Sequence, residues 1–128
     1  EEIMSYPTVA KSIPLFASAA RTATPTAVDF VSEGASGLFV VIDCTAKAAT
    51  PSVVFTVQLR DTTSGKLVDL LASAAVTTTG TTTLRVGRGL VAATNLTVND
   101  MVPNELSVKA VHGDTDSITY TVSAILVV

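Results

Sequence analysis

The amino-acid sequence predicts an all-β protein: an eight-stranded antiparallel β-sandwich, jelly-roll-like or otherwise Greek-key, with an extended N-terminal arm. Valine, isoleucine and threonine dominate, and their branched side chains favour the pleated surface of a sheet. Long segments with the apolar period of an amphipathic helix are absent. Clusters of turn-forming residues separate the apolar runs at short intervals. The 128 residues therefore fit one β domain, 13–128, preceded by an arm of residues 1–12.

Eight strands are expected, each an apolar run that ends at a turn signal. They lie at approximately residues 13–22, 26–31, 38–46, 52–60, 67–76, 81–86, 105–112 and 117–127. The turns between them are, in chain order, Thr24-Pro25, Glu33-Gly34 with Ser36-Gly37, Thr50-Pro51, Ser64-Gly65-Lys66, Thr79-Gly80, Asn99-Asp100 with Pro103-Asn104, and Gly113-Asp114. The clearest hairpin joins the alternating run 53–59 to residues 67–70, with Gly65 available for a positive φ.

Two alanine-rich stretches are the weakest strand predictions. Residues 16–20 and 71–75 favour helix by propensity. Each passes directly into a threonine run and is too short for a stable isolated helix, so strand is preferred.

An internal repeat divides the chain into two related four-strand halves. Residues 15–22 match residues 70–77 nearly position for position, and residues 50–57 resemble residues 115–122 in the same order. Chance similarity between threonine- and alanine-rich segments is the alternative. A small sheet cannot bury its own apolar face, so we expect the two halves to face each other. The candidate core comprises Phe39, Val41, Phe55, Val57, Leu59, Leu84, Val86, Leu106, Val108, Ile118, Tyr120, Val122 and Ile125.

The arm, residues 1–12, carries four apolar side chains that solvent would not favour: Ile3, Met4, Tyr6 and Val9. We expect these residues to be ordered on a neighbouring subunit and to form the assembly contact. The alternative is a terminus that frays. Because the sequence begins at a glutamate, a leader or propeptide upstream is left open.

Composition favours assembly and disfavours several classes of partner. The chain is 48% hydrophobic but only 15% charged, so its surface is rich in threonine, serine and alanine and is suited to self-association or docking. A net charge of −3 has the wrong sign for binding nucleic acid. No run approaches the roughly 20 apolar residues of a membrane span, so no membrane partner is expected.

The residues offer little for catalysis. His112 is the only histidine, which excludes a multi-histidine metal site, and we expect it to have a structural role where a strand meets a turn. The single Cys44 is expected to be an inert, half-buried thiol. Asp114 and Asp116 could meet a hard cation, but they are also ordinary turn residues. We therefore predict no enzyme, no catalytic or metal-binding residues and no cofactor.

Several segments resemble small virion proteins of tailed phages, of the capsid decoration or minor head type. The similar segments are Val40–Asp43, Asp61–Lys66, Leu70–Thr82 and Asp114–Tyr120. The similarity spans roughly residues 15 to 127, with a departure at Gly87-Arg88-Gly89, where an aromatic residue and proline are usual.

The resemblance implies a structural protein of the phage particle. The expected function is a decoration, or cement, protein that stabilises the outside of the head, bound to the major capsid protein and to copies of itself as a homo-oligomer. The acidic charge favours this outward position, because packaged DNA would repel it. Two alternatives remain: an extracellular filament or adhesin subunit that assembles by strand addition, and a phage neck or tail component.

Overall fold

The computed structural model describes residues 10–127, which form nine strands and, within that range, no helix. The strands are β1 (Ala10–Arg21), β2 (Val28–Val31), β3 (Gly37–Lys47), β4 (Val53–Arg60), β5 (Leu67–Ala72), β6 (Gly80–Gly87), β7 (Thr97–Asn99), β8 (Glu105–His112) and β9 (Ile118–Val127). They build two sheets that enclose one hydrophobic core. The predicted all-β, sandwich-like architecture is confirmed, with nine strands instead of eight.

The strand pairs are nested along the chain. Sheet A has the order β1-β9-β3-β6-β7, and sheet B has the order β2-β8-β4-β5. The first strand pairs with the last, β2 with β8, β3 with β6 and β4 with β5, all antiparallel. Only the short β7 is parallel to its neighbour, β6. The chain therefore resembles one long hairpin that is folded over into two layers.

The predicted strand boundaries hold to within a few residues, with three differences. β1 begins at Ala10, so residues 10–12, which were assigned to the arm, belong to sheet A. β5 ends at Ala72, inside the alanine-rich stretch 71–75, which was the weak point of its prediction. β7 was not predicted, because three residues carry too little periodicity to be recognised.

The predicted hairpin between β4 and β5 is confirmed. Its loop is closed by hydrogen bonds from Gly65 N to Asp61 O (2.7 Å) and from Asp61 N to Lys66 O (2.8 Å). Gly65 has a φ of 77°, which glycine adopts without strain. The Asp61 carboxylate also accepts hydrogen bonds from Ser64 Oγ and Thr63 N, and these bonds lower its pKa.

The core confirms most of the predicted set but corrects the phase of β3. Leu38, Val40, Ile42 and Cys44 point inward, whereas Phe39 and Val41 lie on the outer face of sheet A. Because the run 38–42 is wholly apolar, alternation cannot fix its phase. Asp43 could have fixed it, since it shares a face with Phe39 and Val41 and would otherwise be buried.

Two other predicted core residues are only half-buried. Ile125 lies outward, because it alternates with the buried Ala124 and Leu126 on β9. Its spacing from the correctly predicted Tyr120 is an odd number of residues, which already places it on the other face. Leu59 has the inward phase of β4 but lies where that strand reaches the end of the sheet.

The two halves of the repeat do not form separate sheets, so this expectation was wrong. Each sheet contains strands from both halves, because nested pairing places the first strand beside the last. The repeat instead relates one sheet to the other. β1, β2, β3 and β4 of the first half correspond to β5, β6, β8 and β9 of the second, which maps the order β1-β9-β3-β6 onto β5-β4-β8-β2.

The pairing register follows this correspondence. Phe16 pairs with Val122 in sheet A, and the matching Leu71 pairs with Val57 in sheet B. The same holds for a second set of matched positions, Arg21 with Ile118 and Val76 with Val53. Both sheets also shift register at the matching place, between Pro14 and Phe16 in sheet A and between Val57 and Gln58 in sheet B. The sequence repeat therefore coincides with an approximate two-fold relation between the sheets.

Candidate docking surface at the end that carries both termini

The sandwich has two ends of different chemistry. We call the terminal end the one where Ala10 pairs with Val127; it also carries residues 32–36, 61–66, 88–91 and 100–104. Hydrogen bonds from Ser36 N to Val127 O and from Ser32 N to Asn104 O tie its loops to both sheets. The opposite end carries the connections 22–27, 48–52, 73–79 and 113–117, which are rich in alanine, threonine, serine and aspartate.

Exposed apolar side chains concentrate at the terminal end. Val91 is 89% exposed and Met101 is 64% exposed, in the two loop segments that follow β6 and precede β8. Val31, Leu67, Val68 and Leu90 are also exposed at this end. Exposed apolar side chains gathered at one end of a domain indicate a candidate site of interaction. The terminal end is therefore the candidate docking surface.

A small apolar groove lies within this surface. Its lining includes Phe39, Val127, Leu90 and Arg88, and its volume is about 220 Å³. Leu90 can lie against the sheet because position 87 is glycine, where a Cβ would come within 3.2 Å of Leu90 Cδ1. The volume suits one or two side chains, since sites for small molecules are generally larger.

A cation lies against the ring of Phe39 on the outer face of sheet A. The Arg85 guanidinium lies 5.4 Å from the centroid of the Phe39 ring, on the neighbouring strand. Such a contact stabilises an exposed ring by about 0.5–1 kcal/mol. The position of Phe39 was missed in the sequence because β3 was assigned the opposite phase.

The four predicted arm residues, Ile3, Met4, Tyr6 and Val9, lie outside the described residues 10–127. Because their segment joins the described chain at Ala10, it is connected to the terminal end. The proposed contacts of these residues therefore remain predictions.

The opposite end holds the only histidine. His112 ends β8 as predicted, and its Nε2 lies 3.0 Å from the Tyr120 hydroxyl. The Arg21 guanidinium lies 4.6 Å from the centroid of the Tyr120 ring. Burial lowers the pKa of His112 and Arg21 lowers it further, while Asp114 raises it. These contacts favour the structural role expected for His112, with a neutral imidazole at neutral pH.

Cys44, Asp114 and Asp116 are engaged in structural contacts. Cys44 is only 2% exposed, more buried than expected, and burial raises the pKa of its thiol, which disfavours the reactive thiolate. Asp116 accepts hydrogen bonds from the backbone and hydroxyl groups of Thr50, and Asp114 accepts one from Asp116 N. Within residues 10–127 no group of three His, Cys, Asp or Glu side chains has a metal-binding arrangement.

The outer face of sheet B is polar and internally bonded. Arg60 Nη2 donates to the Asp29 carboxylate at 3.0 Å, and this bond lowers the pKa of Asp29. Gln58 Nε2 donates to Asp69 Oδ1 at 2.7 Å, beside the fully buried Ser107. Sequence reasoning missed this network, although the polar residues alternate along β4. It leaves this face less suited to docking than the terminal end.

The edges of both sheets are poor templates for an added strand. β1 is long, but it contains Pro14, which has no N–H, and its register shifts twice. β2, β5 and β7 have only 4, 6 and 3 residues, respectively. Short, bulged and proline-containing edges resist pairing with another chain.

Comparison with models of protein families gives no match, and comparison with curated proteins also gives none. No helix in the described part of the chain has the length and apolar character needed to cross a bilayer.

Proposed function

We propose that this chain is a structural protein of a tailed-phage particle, a decoration protein that binds the outside of the head. The observation that carries the proposal is the concentration of exposed apolar side chains, above all Met101 and Val91, at the terminal end, where the N-terminal segment joins β1. Catalysis is not part of the proposed role, and we propose no cofactor.

The nested strand order supports a jelly roll as the finer description of the fold. In that fold a long antiparallel hairpin wraps into two four-stranded sheets, and the pairs β1·β9, β2·β8, β3·β6 and β4·β5 fit this scheme. Jelly rolls are frequent among viral capsid domains, but they also occur in lectins. The fold is therefore compatible with the proposed function but does not select it, and the support for the proposal comes from the exposed apolar surface.

Attachment would stabilise the shell by burying the terminal end against capsid subunits. Burial of side chains as exposed as Val91 and Met101 contributes about 1–2 kcal/mol each, in proportion to the area removed from water. Contacts that exist only in the assembled shell shift the equilibrium away from its opening. Several copies acting on one particle multiply a modest individual affinity.

Charge supports an outward position. The sequence has 11 acidic and 8 basic residues, and a net charge of −3 disfavours a place against packaged DNA. The filament alternative is less favoured, because strand addition needs a long regular edge and the described edges are short or interrupted. A neck or tail component would use the same surface, but it would be present in fewer copies per particle than a head decoration protein.

Binding of the purified full chain to phage heads that lack it tests the proposal. We expect saturation at hundreds of copies per head, measured by quantitative mass spectrometry after sedimentation, and a raised temperature of shell opening. A variant without residues 1–9 should bind more weakly while retaining the β-sheet circular dichroism of the full chain. Saturation at tens of copies or fewer would instead indicate a neck or tail component, and absence of binding would refute a role on the particle.

A further inference from the structure

We infer that the groove between Phe39, Val127 and Leu90 receives the N-terminal segment, residues 1–9, of a second copy of this chain. The inference rests on the proposed function, because it supplies the contact that would join copies on the particle. It names a surface for one or two of the apolar side chains that the segment carries, Ile3, Met4, Tyr6 and Val9.

The chemistry of the groove matches that of the segment. Phe39, Val127 and Leu90 present apolar surface, and the segment offers four apolar side chains within nine residues. The groove is smaller than most sites for small molecules, and its volume of about 220 Å³ would accommodate one or two side chains.

Charge complementarity gives the segment a direction. Arg88 lines both this groove and the adjoining cavity beside Met101, and it makes no salt bridge within the described residues. The segment begins with Glu1 and Glu2, directly before its first apolar pair. A segment bound with Ile3 and Met4 in the groove would bring these carboxylates near Arg88, where opposite charges attract.

The position of Ala10 sets how far the segment can reach. β1 pairs with β9 in unbroken register from Ala10 to Pro14, which fixes Ala10 beside Val127 at the terminal end. Nine extended residues reach at most about 30 Å, roughly the diameter of a domain of this length, so a neighbour is within range.

The contact repeats naturally between identical copies. Each subunit has one segment and one groove at the same end, so two copies that exchange their segments fill both grooves. A two-fold pair or a closed ring would leave no segment unpaired and no groove empty.

Disulfide trapping between two single-cysteine variants tests the inference. One chain carries Tyr6→Cys and the other Leu90→Cys, both with Cys44→Ala, so that any bond between them is intermolecular. After mild oxidation we expect at least a fivefold greater yield of the mixed dimer than for Tyr6→Cys with Val111→Cys, a control at the opposite end that is also exposed. Equal yields would overturn the inference, as would a bond that forms only within one chain carrying both Tyr6→Cys and Leu90→Cys.

A charge exchange tests the role of Arg88 separately. Arg88→Glu in the Leu90→Cys chain should lower the yield severalfold, and Glu1→Lys with Glu2→Lys in the Tyr6→Cys chain should restore it. Failure of the reversed pair to recover the yield contradicts the proposed direction of the segment. All trapping uses the protein alone, so loss of trapping with retained binding to heads would refute this contact and leave the proposed function standing.

Discussion

Phe55 of sheet B and Tyr120 of sheet A meet edge to face in the core, with ring centroids 5.0 Å apart and ring planes at 90°. Both side chains are fully buried. They occupy matching positions of the internal repeat, on β4 and β9. The contact therefore lies where the two related sheets approach each other, and it joins the two layers toward the opposite end of the sandwich.

Removal of either ring should destabilise the protein strongly. Phe55→Ala and Tyr120→Ala each leave a cavity in a closed core, and we expect each to lower the free energy of unfolding by about 3–5 kcal/mol. Because the rings also interact directly, the double variant should lose less than the sum, by about 0.5–1.5 kcal/mol. Urea denaturation of the four proteins measures this coupling, and strict additivity would contradict a direct contact.

The Tyr120 hydroxyl has a separate contribution. Tyr120→Phe keeps the ring but removes the partner of His112 Nε2. An unsatisfied polar group in this half-buried position costs about 1–3 kcal/mol. We expect a destabilisation in that range from thermal or urea unfolding. In a His112→Ala background the same change should cost much less, and an equal cost in both backgrounds would show that the hydrogen bond does not matter.

His112 should make stability depend on pH in a defined window. Its pKa is lowered from 6.5 in the folded protein, chiefly by burial, so the unfolded chain takes up the proton first as the pH falls. The stabilisation is complete above about pH 6.5 and is lost below it, with a slope of at most about 1.4 kcal/mol per pH unit for one proton. Urea unfolding at several pH values between 7.5 and 5 should show this fall.

The matched control for this titration is His112→Gln, which cannot titrate. Its stability should change much less over the same range, because the pKa values of Asp29 and Asp61 are lowered from 3.8 and affect stability only in more acidic solution. An unchanged slope in the variant would assign the effect to other groups.

Sequence reasoning predicted the strands well because each is bounded by turn residues with a definite backbone preference. It failed where the sequence pattern does not show which face of a strand is buried, and where it does not show which strands pair. The apolar run around Phe39 and Val41 gives no alternation, and only Asp43 records which face is outside. The repeat was visible in the sequence, but the nested pairing that distributes its halves between the sheets depends on long-range contacts.

The candidate surface shows the same limit. The groove brings Phe39, Leu90 and Val127 together from three distant parts of the chain, and no local pattern connects them. Composition indicated that some surface would be adhesive. The location of that surface depends on the order of the strands in the sheets and on the pairing of the first strand with the last.

The nested topology predicts tolerance of circular permutation. Ala10 and Val127 are paired neighbours in sheet A, so the described ends of the domain are adjacent. A permutant that joins residue 128 to residue 1 and opens the exposed loop between Ser64 and Gly65 should fold, with residues 1–9 serving as linker. We expect the circular dichroism of the parent and a stability loss below about 3 kcal/mol. A permutant opened between Val40 and Val41, in the middle of β3, should not fold, and folding of both would show that continuity of β3 is not required.

The terminal end should be more sensitive to charge than the opposite end in particle binding. Met101→Asp places a carboxylate on the surface that we propose is buried on attachment, and we expect affinity for heads to fall about 10–100-fold through lost apolar contact and desolvation of the charge. Val111→Asp is the matched change near the opposite end, at another exposed apolar side chain, and should alter affinity less than about twofold. Both substitutions lie at the surface, so unfolding curves should remain close to that of the parent. Equal effects of the two would show that attachment does not depend on the terminal end, and a greater loss for Val111→Asp would place the docking surface at the other end of the sandwich.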